Sequence, residues 1–470
     1  MKKKNLIISM LLITILYGVG LWKLNSRDPL LQWDWSAIDA SEKKFPSDFV
    51  WGVASAAHQV EGGHQDINNF GWWEKQTKEN GEATIKNNDK SGDACDHWNR
   101  YPEDIQLMKD LNVDSYRFSV SWSKIMPQKG VVDSLALLHY IQVTDSLLTK
   151  GIQPMVTLHH FTHPLWFQEL GAFEKEENIQ YFVDFSETVY LALKDKVKQW
   201  CTINEPGVYM FDAYFSGMFP PGKSDPELAA LVMENLMKAH VQVYQKIKSL
   251  PDGAQTEVGL VKNMMQMDAN GKYNIMDHLI KYLADSNYNE VVLELLKSDE
   301  FSFYMPTMVD RSSTIKGANK SLDFIGLNYY SHYAFNFNGN IDESLEPMPY
   351  PGEIMTDMDY GMYPEGLYRA IKRISKIGVP IIITENGIAD DKDNRRADFI
   401  DQYLYAVSKA IEDGYDVRGY YYWSLTDNFE WNLGYGERFG LYHVDFKTQN
   451  RTLKEGAKKY IEIIKQAKSK

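Results

Sequence analysis

Cysteine is scarce in this chain, and its scarcity excludes two kinds of architecture. The 470 residues include only two cysteines, Cys95 and Cys201, which stand far apart in the sequence. Neither belongs to a CxxC pair or lies at metal-ligand spacing from histidine, so the sequence indicates neither a disulfide framework nor a cysteine-based metal site. Because isolated cysteines are commonly buried, we interpret both as packed thiols.

Positive charge is also in short supply. Lysine and arginine total 50, against 64 aspartate and glutamate residues, which leaves a formal net charge of -14. A partner that presents a phosphate backbone requires a clustered basic surface on the protein. We therefore expect no nucleic acid among the partners of this protein.

Charge of either sign is absent from the run Leu6 to Trp22, which follows Lys2, Lys3 and Lys4. Its length lies at the lower limit for a membrane span and slightly exceeds that of a usual signal-peptide apolar region. We predict that residues 1–23 are a signal anchor or signal peptide and residues 24–44 a flexible or semi-ordered linker. A membrane tether through residues 6–22, a cleaved signal and an N-terminal helix without a targeting role are the three alternatives. The first two place the rest of the chain, membrane-anchored or secreted, on the extracytoplasmic side.

From Phe45 onward, short apolar runs alternate with longer amphipathic stretches, a pattern typical of repeated βα units around a parallel sheet. No internal repeat or linker divides this part of the sequence. The pattern therefore predicts an α/β fold, a single (β/α)8 TIM barrel over residues 45–470. The eight candidate strands are FVWGVAS, DSYRFSV, QPMVTLH, KQWCTIN, EVGLVKN, DFIGLNY, VPIIITE and RGYYYWSL.

Two glutamates close candidate strands, the place where the active sites of such barrels lie. Glu205 follows the fourth strand within TINEP, and Glu385 ends the seventh within ITENG. Strands four and seven face one another across an eight-stranded barrel. Two carboxyl groups brought together in this way supply the proton donor and the nucleophile that acetal hydrolysis requires. Pro206 disfavours the helical conformation at Glu205 and is expected to help fix the turn that aims it.

Several long motifs in the same order resemble those of glycoside hydrolase family 1, the β-glucosidase-like family. The stretches are FVWGVASAAHQVEGG, ACDHWNRYPEDIQLMKDLNVDSYRFSVSWSKIMP, TINEP, DFIGLNYY, ITENG and WSLTDNFEW. The resemblance implies a retaining β-glycosidase with Glu205 as acid/base and Glu385 as nucleophile, their carboxyl groups about 5 to 5.5 Å apart. It implies a β-glycoside or oligosaccharide substrate, no cofactor and no metal. The sequence makes no prediction about oligomeric state.

The resemblance also carries over a set of residues around the two glutamates. Arg117 and Tyr330 would hold the nucleophile ionised, and Asn328 belongs to the same support. Asn204 would hold the sugar's 2-hydroxyl group. The other residues that the resemblance assigns to the sugar pocket are Gln59, His160, Trp423, Glu430 and Trp431.

The chain departs from the family pattern at the rim of the predicted pocket. Phe161 and Thr162 stand where many members have Trp and Asp, and His163 is also unusual. The branch that handles phosphorylated sugars has Ser, Lys and Tyr after the DNFEW region, whereas this chain reads NLGYGERFG. Glu437 in that stretch would repel a 6-phosphate, so we predict neutral β-glycosides, foremost β-glucosides with possible β-galactoside or β-fucoside activity.

Two other functions stay open at this point. A transglycosidase would use the same covalent intermediate with an alcohol or sugar as the acceptor in place of water. A catalytically inactive, membrane-bound sugar-binding protein would keep the pocket, but it would not need both carboxylates. Specificity for mannosides or thioglucosides is a lesser variant, and the thioglucosidase branch lacks the acid that Glu205 provides.

Overall fold

A closed barrel of eight parallel strands forms the centre of the molecule. The computed structural model describes residues 2–27, 29–78, 80–339 and 349–469, so the ends of the predicted segments 1–23 and 45–470 lie outside the described residues. In spatial order the barrel strands are β1, β12, β11, β9, β5, β4, β3 and β2. The strands of the described chain are β1 Val50–Ser55, β2 Ser115–Ser119, β3 Gln153–His159, β4 Gln199–Asn204, β5 Glu257–Asn263, β6 Gln266–Ala269, β7 Glu300–Met305, β8 Val309–Thr314, β9 Phe324–Asn328, β10 His332–Phe335, β11 Ile381–Asn386, β12 Val417–Trp423, β13 Tyr442–Asp445 and β14 Asn450–Leu453.

Helices surround the barrel and alternate with its strands along the chain. The longer ones begin at chemically suitable residues: Asp133 and Asp225 accept backbone N–H groups at the start of α6 and α10. The helices of the described chain are α1 Lys2–Arg27, α2 Ala57–Val60, α3 Asn69–Trp73, α4 His97–Asp110, α5 Trp122–Ile125, α6 Ser134–Thr149, α7 Leu165–Glu169, α8 Ile179–Leu193, α9 Pro206–Met210, α10 Pro226–Ser249, α11 Ile275–Asp285, α12 Val291–Ser298, α13 Pro364–Ile374, α14 Arg396–Glu412 and α15 Lys458–Lys468.

The eight barrel strands are the eight that the hydrophobic pattern predicts, so the predicted fold class is confirmed. Five of the six residues of β4 are buried and all six of β11 are, although the two strands contain polar residues. Parallel strands covered by helices on one side and by the barrel interior on the other have no solvent face, and this explains their nearly continuous apolar runs.

Between β5 and β9 the chain adds an elaboration that the hydrophobic pattern did not predict. Here β7 pairs with β8 in an antiparallel hairpin, and β6 pairs in parallel with β10, the short strand that follows β9. Helices α11 and α12 connect β6 to β7. Since only two residues separate the end of β5 from the start of β6, this elaboration begins at the carboxyl-terminal end of the barrel.

The N-terminal helix α1 and the segment after it lie on the outside of the barrel. Helix α1 contains the stretch Ile7–Ser26, which has the length and composition to cross a membrane. The predicted linker contacts the barrel at two places, around Trp33 and at Lys43. The backbone N–H of Trp33 and the indole N–H of Trp35 donate to Glu365 on α13, at 2.8 and 3.1 Å. Lys43 pairs with Asp401 on α14 at 2.8 Å.

Candidate active site

The two glutamates lie at the carboxyl-terminal ends of their strands, as predicted. Glu205 directly follows β4, and Glu385 is the fifth of the six residues of β11. Both side chains are buried, with residue exposures of 5% and 3%. Water screens the charges around a buried carboxyl group only weakly, so its neighbours strongly influence its pKa.

The backbone at Glu205 is held in an unusual conformation. Its φ of 46° and ψ of 64° lie in the left-handed region, which costs a non-glycine residue of the order of 1 kcal/mol or more. Two features fix it there: its N–H donates to the carbonyl of Val261 on β5 at 2.8 Å, and Pro206 begins α9 directly after it. Because proline disfavours a right-handed helical residue before it, α9 begins only after the turn that directs Glu205 into the barrel.

Glu385 is held by donors on both of its carboxylate oxygens. Nη1 of Arg117, from β2, lies 2.5 Å from Oε1, and the Tyr330 hydroxyl donates to Oε2 at 2.7 Å. Burial alone would lower the pKa of Arg117, but the charge of Glu385, a smaller contribution from Cys201, the hydrogen bond to Glu385 and the charge of Glu205 together outweigh burial, and the pKa lies above its ordinary value. A buried guanidinium and a hydroxyl donor both stabilise the ionised form of Glu385, which is the form a nucleophile requires.

Glu205 has the opposite environment. Burial first, and then the negative charge of Glu385, raise the pKa of Glu205 to about 8. Asn328 and Asn263 each donate a hydrogen bond to its Oε1, at 2.7 and 3.2 Å, and these bonds together with the charge of Arg117 oppose the rise without cancelling it. At neutral pH Glu205 is therefore protonated and able to donate a proton.

Asn204 and Asn328 connect the two carboxyl groups. Oδ1 of Asn204 accepts from Nη2 of Arg117 at 2.7 Å and from Nδ2 of Asn328 at 3.3 Å. Asn328, which we expected to support the nucleophile, pairs in register with Glu385 across β9 and β11, and its side-chain amide donates to Glu205. A chain of hydrogen bonds thus runs from Glu385 through Arg117, Asn204 and Asn328 to Glu205. The expected separation of the two carboxyl groups stays a prediction.

The predicted sugar-binding residues lie around this pair. His160 contacts the Asn204 amide at 3.0 Å, and Gln59 donates to Glu430 at 2.9 Å and to Asn428 at 3.1 Å. Within the described part of the chain, Nδ1 of His160 and Oε1 of Gln59 are buried without a hydrogen-bonding partner. Buried polar atoms are almost always paired, so these two are available for the hydroxyl groups of a bound sugar.

Glu430 titrates unusually as well. Burial raises its pKa to about 8; the charge of Glu385 adds to the rise, and the hydrogen bond from Gln59 opposes it. A protonated Glu430 both donates and accepts hydrogen bonds, which suits a pair of neighbouring sugar hydroxyls. Glu430 therefore belongs to the site chemically as well as by position.

Two tryptophans supply the apolar walls of the site. Trp423 ends β12, and Trp431 follows Glu430 directly; both are nearly buried. The ring of His160 lies 5.8 Å from each of them, and Phe161 packs against Trp431 at 5.1 Å. Indole faces of this kind cover the apolar faces of sugar rings. The unusual Phe161 is thus a packing partner of Trp431.

Sequence reasoning missed several residues that support the predicted ones. Asn263 ends β5 and contacts Glu205, so the rule that identified the other polar strand ends could have found it. Thr384 donates to Oδ1 of Asn328 at 2.7 Å and fixes the orientation of that amide. In the described residues no group of three or more His, Cys, Asp or Glu side chains is placed to hold a metal ion.

Comparison with known proteins places the whole barrel in one family. The family model for glycosyl hydrolase family 1 matches residues 41–469. Beta-glucosidase A of Thermotoga maritima is 33% identical over 455 residues, which cover 90% of this chain and 98% of that protein. A 6-phospho-beta-galactosidase of Clostridium acetobutylicum is 33% identical and covers 88% of this chain and 95% of its own length.

Solved structures agree with the sequence comparison. A beta-glycosidase from Pyrococcus horikoshii superposes with a TM-score of 0.80 at 37% identity, covering 90% of this chain and 95% of that one. The family 1 β-glucosidase from Thermotoga maritima gives a TM-score of 0.83 at 29% identity, covering 91% and 99%. The resemblance first read from the motifs is confirmed: the chain belongs to glycosyl hydrolase family 1 and is a glycoside hydrolase of the β-glycosidase type.

Proposed function

We propose that this protein hydrolyses neutral β-glycosides, foremost β-glucosides, with retention of configuration at the anomeric carbon. The observation that carries the proposal is that the surroundings of the two buried glutamates favour opposite forms, ionised for Glu385 and protonated for Glu205. Arg117 and Tyr330 stabilise the ionised form of Glu385, while burial and the charge of Glu385 keep Glu205 protonated. A double displacement begins from this pair of states.

The reaction then follows in two steps. Glu385 attacks the anomeric carbon and forms an ester bond to the sugar, while Glu205 gives its proton to the departing glycosidic oxygen. Esterification removes the negative charge of Glu385, one of the causes that raise the pKa of Glu205. Glu205 thereby becomes a better base, takes a proton from the incoming water, and the hydroxide displaces Glu385 from the anomeric carbon.

Glu437 supports the preference for an unphosphorylated sugar. It is buried in the stretch after Trp431, and its charge contributes to the raised pKa of Glu430. Lys86 contacts it, with Nζ at 3.1 Å from its carboxylate. A 6-phosphate brought near this carboxylate would meet repulsion. Because several relatives carry the name 6-phospho-beta-galactosidase, the preference has to be tested directly.

The test compares an aryl β-glucoside with its 6-phosphorylated counterpart in the native protein and in Glu437→Lys. We expect kcat/KM of the native protein to favour the neutral substrate. The variant should narrow this preference, since it replaces a repelling charge with an attracting one. Faster turnover of the phosphorylated substrate by the native protein would contradict the proposal.

We also propose that α1 tethers the enzyme to a membrane. The support is its stretch Ile7–Ser26, whose length and composition suit a span, together with apolar side chains that point away from the barrel: Ile7, Leu11, Ile15 and Trp22 are all more than half exposed. Full-length protein should stay with membranes through a carbonate wash. A soluble product whose N-terminus begins after Gly20 would indicate a cleaved signal instead.

A further inference from the structure

Helix α11 presents an apolar surface to solvent. Three of its eleven residues are exposed, and all three are apolar or aromatic: Ile275 at 46%, Leu279 at 45% and Tyr282 at 57%. Their spacing of four and three residues places them along one side of the helix. A surface helix ordinarily turns its polar side outward, so this stripe requires an explanation.

The stripe does not result from a loosely placed helix. On its inner side α11 packs through Ile280 and Ala284 against a cluster that includes Met267 of β6. Asp277 accepts backbone N–H groups from Gly271 and Phe337, both at 2.8 Å. The packing of Ile280 and Ala284 and the hydrogen bonds of Asp277 fix the orientation of α11, so the fold directs the stripe towards solvent.

The apolar stripe continues into the contact between the barrel and α1. The Tyr17 hydroxyl donates to the carbonyl of Tyr273, and the Asn25 amide donates to the carbonyl of Lys272, at 2.8 and 2.9 Å. Tyr273, just before α11, is itself 71% exposed. The part of α1 between Tyr17 and Asn25 therefore runs alongside the Lys272–Tyr273 turn.

We infer that Tyr273 and the stripe Ile275, Leu279 and Tyr282 form a membrane-contact surface, on which the barrel rests against the bilayer that α1 enters. The inference depends on the proposed tether. The Lys272–Tyr273 turn contacts α1 at Tyr17 and Asn25, both within the stretch Ile7–Ser26, so a bilayer that this stretch enters must lie against the turn. Tyrosines beside apolar residues suit the boundary between lipid headgroups and acyl chains.

The position of this surface matters for the enzyme. Helix α11 packs on β6, which starts three residues after Asn263, and Asn263 donates to Glu205. The contact surface thus lies at the end of the barrel that carries the two glutamates. The tether and the stripe together hold that end of the barrel next to the lipid.

The test places a fluorophore on the stripe. Full-length protein carrying Leu279→Cys is labelled with an environment-sensitive dye and reconstituted into phosphatidylcholine vesicles with or without brominated acyl chains. The native cysteines Cys95 and Cys201 are buried and should not react. The matched control is Leu191→Cys on α8, a leucine with 43% exposure near the opposite end of the barrel, where β4 begins.

The expected result is a blue-shifted emission at position 279 that brominated lipid quenches, with neither effect at position 191. Protein that does not float with the vesicles would overturn the tether and the contact surface together. Protein that floats, but whose label at position 279 is solvent-exposed, would overturn the contact surface alone. A blue shift without quenching would mean that another protein surface covers the stripe, and would also overturn the inference.

Discussion

Two residues of the same type, Glu205 and Glu385, have neighbours of different charge. Glu385 faces a guanidinium at 2.5 Å and a hydroxyl donor at 2.7 Å. Glu205 faces two neutral amides, and its pKa rises to about 8. At the scale of single residues, the chemistry of the site depends on this asymmetry of charge more than on the glutamates themselves.

Substitution of Glu205 should separate substrates by their leaving groups. Glu205→Gln removes the proton that a poor leaving group needs, so hydrolysis of alkyl β-glucosides should fall by about 10² to 10⁴-fold. Formation of the intermediate from aryl glycosides with good leaving groups should be much less affected, and azide should release it as the β-glycosyl azide. Steady-state rates on both substrate types measure this, and equal rates for variant and native protein on the alkyl glucoside would contradict the role.

The pH dependence of the reaction should follow Glu205. Because Glu205 must be protonated, kcat/KM should fall as the pH rises through about 8. Asn328→Ala removes a hydrogen bond that stabilises the ionised carboxylate, so this basic limb should move to higher pH. Asn263→Ala should move it in the same direction, since Asn263 also donates to Oε1. A limb that stays in place in both variants would assign the titration to another group.

The sequence predicted the residues of the site better than their pairing. The polar strand ends indicated both glutamates, and the matching motifs added Arg117; the roles of all three stay predictions. The partner of Asn328 depends on the rotation of one side chain, which Thr384 fixes from the neighbouring strand. Contacts of that kind follow from packing across the barrel, and no local pattern encodes them.

At the scale of elements, part of the segment between α1 and β1 is ordered and attached to the barrel helices. Trp33 lies with its ring 5.5 to 5.7 Å from those of Trp35, Tyr368 and Tyr405, in edge-to-face arrangements. With the hydrogen bonds to Glu365, these contacts attach residues 33–35 to α13 and α14. A segment expected from its polar composition to be a linker is thus ordered by its few aromatic residues.

Removal of the Trp33 ring should weaken the attachment of residues 33–35 to α13 and α14. Each aromatic pair is worth about 0.5 to 1.5 kcal/mol beyond its buried area, so Trp33→Ala should lower Tm measurably and accelerate proteolysis before residue 45. Leu30→Ala, at a neighbouring exposed position, is the control and should change neither quantity. Unchanged proteolysis in Trp33→Ala would mean that the aromatic cluster does not hold the segment.

The burial pattern of each strand explains why the sequence predicts the barrel strands and not the added ones. The barrel strands are buried on both sides, and their apolar runs are therefore conspicuous. In β7 buried and exposed residues alternate, and β6 has only four residues, so neither produces such a run. The pairing of β6 with β10 joins segments separated by more than 60 residues, and only the closed barrel brings them together.

At the scale of the whole molecule, the raised pKa of Glu205 makes stability depend on pH. The pKa rises from 4.5 to about 8 on folding, so between these values the folded protein holds a proton that the unfolded chain has lost. Raising the pH across this window therefore destabilises the native state, by about 1.4 kcal/mol per pH unit for one such group.

Glu205→Gln removes this contribution. The difference in unfolding free energy between the variant and the native protein should therefore grow in favour of the variant from pH 5 to pH 8 and then level off. Denaturant titrations at several pH values measure this difference, in which contributions common to both proteins cancel. Glu430→Gln should show the same pH dependence of this free-energy difference, because burial also raises the pKa of Glu430 to about 8. A difference that does not vary with pH would contradict the raised pKa.

The central claim is that Glu385 forms a covalent bond to the sugar, and trapping tests it most directly. An aryl 2-deoxy-2-fluoro-β-glucoside slows the second step, because the fluorine destabilises the oxocarbenium-like transition state and removes the 2-hydroxyl contact. Proteolysis and mass spectrometry should then find one fluoroglucosyl group on the peptide that contains Glu385, with inactivation in proportion to labelling. A sugar attached to any other residue, or turnover by Glu385→Gln at the native rate, would contradict the account.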